Sequence, residues 1–144
     1  MVNIDYYNGF VTKTSVSKER IVVVIPPVNS IKQLFDEWNK VLHFPYSPDD
    51  WIFVRDLVTD MYWIEAKEIL IYHQQIGNIL PTWDVSEYLS FLLSLYEGEY
   101  EVEGHDISFY FNIEEKSVID KFFPGKSLKE ELERLNFKTN SHIQ

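Results

Sequence analysis

The chain has 144 residues, 45% hydrophobic and 16% aromatic, with no cysteine and a formal charge of -10 from 23 acidic and 13 basic residues. This length suits one domain with its own core, and the lack of cysteine excludes disulfides, thiolate metal sites and a cysteine nucleophile. The charge disfavours binding to nucleic acid or anionic lipid and favours a cationic partner, although acidity can also serve solubility alone.

The start of the chain carries no targeting signal, and its first elements are a turn signal and a strand. Residues 1–15 lack a basic segment followed by an apolar one, and no apolar run is long enough to span a membrane, so we expect a cytoplasmic protein. The segment Tyr7–Phe10, YNGF, favours an edge β-hairpin. Residues 21–25, IVVVI, are typical of a strand buried on both faces of a parallel sheet. Asn29 or Ser30 can then cap a helix.

Two amphipathic helices are predicted between Ser30 and Trp63. Apolar residues at i, i+3, i+4 and i+7 spacing bury one face of a helix. In the first helix these residues are Ile31, Leu34, Phe35, Trp38, Val41 and Leu42. In the second helix they are Trp51, Val54, Val58, Met61 and Tyr62. A short loop with two prolines joins the two helices.

The rest of the core alternates strands with one more helix. Residues 68–73, EILIYH, and residues 105–113, which alternate apolar side chains, are predicted strands. Between them a helix is predicted to start at Asp84 as its N-cap and to end at Gly98. The order strand, helix, helix, strand, helix, strand indicates an α/β fold with a small three-stranded parallel sheet packed with helices.

The whole chain, residues 1–144, is predicted to be one domain whose core spans about residues 19–113. Residues 1–18 form an N-terminal extension that carries the hairpin. Residues 114–144 form a C-terminal helical extension. Near its start, the segments NIEEKSVIDKFF and SLKEELERL have helical spacing and a Pro-Gly pair separates them. We expect two short helices there and a frayed tail from Thr139 onward.

The polar side of the second helix and the residues just before it carry the candidate functional residues. They are Asp49, Asp50, Ile52, Arg55, Asp56, Thr59 and Asp60. Three of the acids, Asp49, Asp50 and Asp56, can perform acid–base chemistry or hold a divalent ion, whereas acids at a helix N-terminus more often act as caps. The four histidines have no metal-ligand or triad spacing, and no glycine-rich phosphate loop follows a strand.

An acidic loop is predicted after the third helix, with four glutamates in residues 97–106. A solvated turn is one interpretation of this loop. The other is that it extends an anionic surface toward a cationic partner. The choice depends on where the loop lies relative to the second helix.

The segment from Ser30 to Asp60 resembles the barstar family, small cytoplasmic protein inhibitors of barnase-type ribonucleases. The family pattern is a strand, a helix ending in leucine and proline, a loop with a tyrosine, and a second helix that opens like Asn-Trp-Asp-Ala-Leu-x-Asp. The positions that fit are Leu34, Leu42, Pro45, Tyr46, Trp51, Val54, Asp56 and Asp60. The later strand, helix and strand fit as well, so the resemblance covers about residues 20–112 and leaves both extensions outside it.

The resemblance implies a non-enzymatic inhibitor. In the family, the loop tyrosine and the acids of the second helix enter the nuclease active site and take the places of the RNA phosphates. Carried over to this chain, Tyr46 would be the loop aromatic residue and Asp56 the central acid. Thr59 and Asp60 would lie beside it and meet the cations of the enzyme.

Several positions depart from the family pattern. The loop glycine is missing, and Pro48 lies inside a loop that is one residue shorter. Ile52 stands in place of the first helix acid, and Arg55 in place of an aromatic residue on the binding face. These departures imply a divergent toxin as the partner, in place of barnase itself.

We therefore expect an immunity protein of a toxin–antitoxin pair, monomeric when free, that occludes a basic ribonuclease by acidic phosphate mimicry. We expect no enzymatic activity, no cofactor, no metal, and no direct contact with nucleic acid or membrane. The expected partner-binding residues are Tyr46, Asp49, Asp50, Ile52, Arg55, Asp56, Thr59 and Asp60. Two alternatives stay open: a small metal-dependent hydrolase using Asp49, Asp50 and Asp56, and a regulatory protein-interaction module on the same fold.

Overall fold

A computed structural model describes residues 1–11, 13–48, 50–77 and 80–142 of the chain, with side chains as far as residue 136. Over these residues the strands are β1 Val2–Tyr7, β2 Ser15–Val16, β3 Arg20–Ile25, β4 Glu68–His73 and β5 Asp106–Asn112. The helices are α1 Ile31–Leu42, α2 Trp51–Asp60, α3 Thr82–Glu97, α4 Lys116–Asp120 and α5 Leu128–His142, and a 3-10 turn, Ile113–Glu115, precedes α4. None of the helices described is long and apolar enough to cross a membrane.

The strands form one sheet in the order β1-β5-β4-β3-β2. Four of them run parallel, and the short β2 pairs antiparallel with β3. The α/β class predicted from the sequence is confirmed, and the three predicted strands are β3, β4 and β5 at the centre. The predicted number of three is too low, because the N-terminal extension adds one strand at each edge.

The predicted N-terminal hairpin is wrong. β1 pairs in parallel with β5, with Ile4 opposite Phe109, and not with the strand that follows it in sequence. Gly9 has a φ of 91°, so a turn does form there, but it leads the chain past the carboxyl end of β4, where the Gln74 side chain donates to Val11 O at 3.3 Å. An Asn-Gly pair indicates a local turn only, whereas the pairing of β1 depends on distant β5.

The helices pack on one face of the sheet. Buried side chains from all five helices belong to the same cluster as the buried side chains of β1, β3, β4 and β5. The strand β3 was predicted to be buried on both faces, but only Ile21, Val23 and Ile25 are fully buried. Its other face, with Val22 and Val24, is half-buried because none of the described helices covers it.

The helices α1 and α2 form as predicted, each from a side-chain cap. Ser30 Oγ accepts from Gln33 N at 3.1 Å, and Asp50 Oδ1 accepts from Phe53 N at 3.1 Å. The apolar stripes are buried or partly buried, and only the predicted stripe residue Tyr62, which is 76% exposed, lies in solvent. Met61 ends α2 in a left-handed conformation with a φ of 35°, so the helical spacing does not extend to Tyr62.

The third helix differs from its prediction at its start. It begins at Thr82 after Pro81, and Asp84 lies inside the first turn, where its charge favours the helix dipole, and not at the N-cap. Proline fixes a φ suited to a helix start, which the sequence reading overlooked. The predicted end at Gly98 is confirmed, with a φ of 85°.

The C-terminal extension forms two helices, but with other boundaries than predicted. The first is short, ending at Asp120, and the second continues beyond Thr139 to His142. Both pack on the helical face of the sheet. The 3-10 turn is fixed by the buried carboxylate of Glu115, which accepts from Ile76 N at 2.8 Å and Gly77 N at 2.7 Å.

Candidate functional site

The outward side of α2 exposes apolar side chains at its start. Ile52 is 58% exposed and Phe53 42% exposed, and Tyr46 from the preceding loop is 46% exposed. Tyr46 and Phe53 form an edge-to-face pair with ring centroids 5.9 Å apart. Apolar groups left in water on one helix turn are typical of a contact surface. We call Tyr46, Ile52, Phe53, Arg55, Asp56, Thr59 and Asp60 the α2 face.

The acids of the α2 face point into solvent, and one of them is paired. Asp56 and Asp60 are both exposed. The Arg55 guanidinium donates to Asp56 Oδ1 at 3.2 Å and 3.3 Å, and it also lies over the Tyr100 ring at 4.7 Å. The contact with Tyr100 and then the carboxylate of Asp56 raise the pKa of Arg55. In the free protein, Asp56 is therefore partly neutralised by its own neighbour.

Two other predicted site residues, Asp50 and Thr59, make hydrogen bonds that stabilise α2 itself. The carboxylate of Asp50 caps α2, as the interpretation of capping acids anticipated. The Thr59 hydroxyl donates to Arg55 O at 2.8 Å, a bond within the helix. Asp49 lies outside the described residues, so its part in the site stays a prediction.

The acidic loop lies against α2. Glu103 N donates to Thr59 O at 3.1 Å, and Tyr100 from the same loop carries the Arg55 side chain. Glu99, which lines a cavity with Arg55, and Glu103 therefore extend the negative surface that begins on α2. The sequence left this position open, because only the tertiary fold decides which helix end the loop meets.

A cleft of about 470 Å³ separates α2 from α3. Trp51 and Phe91 form part of its floor, and Trp51 Nε1 donates to Glu87 Oε2 at 2.8 Å. Trp83, which is 72% exposed, stands at its rim beside Arg55 and Tyr100. The cleft thus continues the α2 face onto α3 with aromatic and acidic groups.

Four residues of this surface were not predicted: Phe53, Trp83, Glu87 and Tyr100. Trp83 was detectable, because it falls outside the apolar stripe of α3 that contains Val85 and Tyr88, and a large aromatic residue there has no core to enter. Phe53 was detectable in the same way, because it falls outside the buried stripe of α2. Nothing in the sequence pointed to Glu87 and Tyr100, since their role depends on the contact between α2, α3 and the loop.

Two histidines, His73 and His105, are buried and make hydrogen bonds within the fold. His73 Nδ1 contacts Tyr110 O at 2.9 Å and its Nε2 contacts the Tyr88 hydroxyl at 2.5 Å, while His105 contacts Ala66 O and Met61 O. Burial lowers the pKa of His73 to about 4. Among the residues that the structure describes, no group of three or more His, Asp or Glu side chains is placed to hold a metal ion.

Comparison with known proteins gives no relative. A scan against protein-family models found no match, and searches of the curated proteins and of the solved structures matched nothing either.

Proposed function

We propose that this chain is a non-enzymatic inhibitor, or immunity protein, that binds a basic ribonuclease toxin inside the producing cell and occludes its active site. The observation that supports this proposal best is the α2 face. It presents acids and aromatic side chains together. The acidic loop packs beside Arg55 and Thr59, and the other side chains of the face are exposed: Tyr46, Ile52, Phe53, Asp56 and Asp60. The sequence resemblance to the barstar family points to the same surface.

Electrostatics favour a cationic partner for this surface. The chain carries a net charge of -10, and the α2 face adjoins a loop with four glutamates. Such a field accelerates the approach of a basic protein, and the effect weakens as salt screens it. The exposed Tyr46, Ile52 and Phe53 then supply the apolar contact that holds the complex after encounter.

Arg55 makes the mimicry selective. Because its guanidinium already pairs with Asp56, a cation of the enzyme must either share that carboxylate or displace Arg55 from it. A partner fitted to this surface therefore offers cations opposite Asp56 and Asp60 and no cation opposite Arg55. An enzyme with cations alone would be repelled by Arg55.

The test compares two acids in matched settings. Asp56 and Asp36 are each 53% exposed in their side chains, and each is paired with a cation on its own helix, Arg55 or Lys32. The assay measures inhibition and binding rates with barnase-type ribonucleases and with the product of any adjacent toxin-like reading frame. Asp56→Ala should weaken binding about tenfold or more, because it leaves partner cations unpaired, and Asp36→Ala should not.

Two results would contradict the proposal. One is equal binding by the Asp56 and Asp36 variants to an enzyme that the wild type inhibits. The other is an association rate that does not fall as salt is raised. Either result would mean that the acids of α2 do not take part in recognition, even if the fold is that of an inhibitor.

A further inference from the structure

The sheet has a second face that none of the described helices covers. Its side chains alternate with those of the core along each strand, and six of them are apolar or aromatic and half-buried. We call this set the open face: Tyr7, Val22, Val24, Leu70, Tyr72 and Tyr110. It lies on the opposite side of the sheet from the helices and therefore from the α2 face.

The side chains of the open face are contiguous. In the register of the strands, Val24 stands beside Tyr72 and Tyr72 beside Tyr110, while Val22 stands beside Leu70. Tyr72 and Tyr110 are stacked with ring centroids 4.7 Å apart, and Tyr7 meets Tyr72 edge-on at 5.1 Å. Parallel sheets usually have both faces covered, so a bare face of this kind indicates a missing layer.

The charges that border the open face neutralise one another. Arg20 pairs with Glu68 at 3.0 Å. The α-ammonium group of Met1 pairs with Asp106 at 3.2 Å, and Lys129 reaches Asp5 at 3.5 Å. These three pairs include every charged side chain that the described strands place on this face, whereas the chain as a whole carries -10.

We propose that the open face is the interface of a homodimer, covered by the same face of a second copy across a two-fold axis. Two acidic chains can meet here without repulsion, because each brings a neutral apolar surface to the other. A cationic protein would find that each acid of the described strands on this face, Asp5, Glu68 and Asp106, is already paired. An RNA that stacked its bases on the tyrosines would need free cations for its phosphates, and the arginine on this face, Arg20, is paired.

The size of the open face fits a modest interface. Four full-length strands, each about 4.8 Å wide, and six residues rising about 3.3 Å each give a flat area of roughly 20 by 20 Å on each copy. The relief of the tyrosine rings and the adjoining Phe10, which is 95% exposed, bring the total near the roughly 1,000 Å² that a specific interface requires. The dimer would expose two α2 faces, one on each outer side. The sequence-based expectation of a free monomer is untested, and the open face argues against it.

Sedimentation velocity over a concentration series tests this proposal. The wild type should move from 17.2 kDa toward twice that mass as concentration rises. Leu70→Glu places two carboxylates at the centre of the interface and should stay monomeric. Tyr72→Glu, whose ring is partly in water already, should do the same and is less demanding on folding. Ile52→Glu on the α2 face is the control and should still dimerise, and urea unfolding of each variant confirms that it is folded.

Three results would overturn the dimer. They are a wild type that stays at 17.2 kDa at every concentration, dimers that persist in folded Leu70→Glu and Tyr72→Glu, or a monomeric Ile52→Glu variant. The remaining alternative is that RNA, and not a second copy of the chain, covers the open face. Titration with a short single-stranded RNA, followed by tyrosine fluorescence, tests this alternative. Binding to a monomer that Tyr72→Glu abolishes would assign the face to base stacking and overturn the proposal.

Discussion

The helices α1 and α2 are neighbours in sequence and pack on the same sheet, yet their outward sides differ. The outward side of α1 is satisfied by its own residues: Lys32 pairs with Asp36 at 3.3 Å, and Lys40 pairs with Glu37 at 2.7 Å. The exposed large hydrophobic residues of the described chain include none from α1. They include Ile52 and Phe53 from α2.

The difference shows which helix surface is built for contact. On α1, two acids and two bases balance, and water can solvate all of them. On α2 there are two acids, Asp56 and Asp60, and one cation, Arg55, which pairs with Asp56, and apolar side chains lie beside them. A surface that a protein leaves both apolar and unbalanced in charge is typical of a binding site, whereas a balanced one needs no partner.

The largest expected difference between the two helices is in stability, when one aliphatic residue on each helix is truncated. Leu34 of α1 is fully buried and Ile52 of α2 is 58% exposed. Leu34→Ala should lower the free energy of unfolding by about 2–5 kcal/mol through lost burial and a cavity. Ile52→Ala should change it by less than about 0.5 kcal/mol. Urea unfolding measures both, and a large loss for Ile52→Ala would show that the α2 face is structural.

The second effect is a loss of stability in acid that comes from His73, which packs against Tyr88 of α3. The pKa of His73 is about 4 in the folded protein against an ordinary value of 6.5, because burial disfavours its charged form. The unfolded chain therefore takes up the proton first. Stability is fully present above pH 6.5 and falls as pH drops toward about 4, by about 3 kcal/mol in total.

This acid effect is measured by urea unfolding at a series of pH values across that window, with His73→Gln as the comparison. The variant should be less stable at neutral pH but should lose less on acidification. An equally steep loss in the variant would assign the effect to other groups. Acidification would also loosen the layer of helices that holds α2. Binding should therefore be measured above this pH range.

The third effect, of intermediate size, compares the two N-caps. Ser30→Ala and Asp50→Ala should each cost about 1 kcal/mol of stability, because each leaves a backbone N–H of the first helical turn without its partner. Only Asp50→Ala should also slow association with a basic ribonuclease, since it removes an acid beside the α2 face. Thermal melts and stopped-flow binding measure the two properties separately. Equal association rates for both variants would place Asp50 outside the interface.

The smallest effect on stability is expected from the ion pairs. Lys32→Gln and Arg55→Gln each remove one surface ion pair, and such pairs contribute little, so Lys32→Gln should unfold at nearly the wild-type urea concentration. Arg55→Gln also removes the contact with the Tyr100 ring and should therefore cost slightly more stability. Arg55→Gln should nevertheless speed association with a cationic enzyme, because it frees Asp56. A slower association would mean that the partner uses Arg55 directly.

The sequence predicted the elements that depend on local spacing and capping. The strands at 68–73 and 21–25, the helices α1 and α2, and the end of α3 at Gly98 were all found in this way. It was wrong about β1, about Tyr62 and about the start of α3. For β1 the deciding contact was distant, for Tyr62 the left-handed Met61 ended the helix before it, and for α3 the local signal of Pro81 was overlooked.

The candidate site was predicted only in part, because only part of it depends on local spacing along one helix. Ile52, Arg55, Asp56 and Asp60 were recognisable because helical periodicity separates a buried side from an exposed one. The contact of Arg55 with Tyr100, the cleft beneath Trp83 and the position of the acidic loop were not recognisable, because they join segments about 30 to 50 residues apart.

The sequence by itself determined the α/β class, the two amphipathic helices and the acidic outward side of α2, because periodicity and capping act over a few residues. Only the tertiary structure decided that β1 and β2 close the two edges of the sheet, that the acidic loop adjoins α2, and that one face of the sheet stays bare. Those outcomes depend on the pairing and packing of distant segments, and no short stretch of sequence encodes its partner.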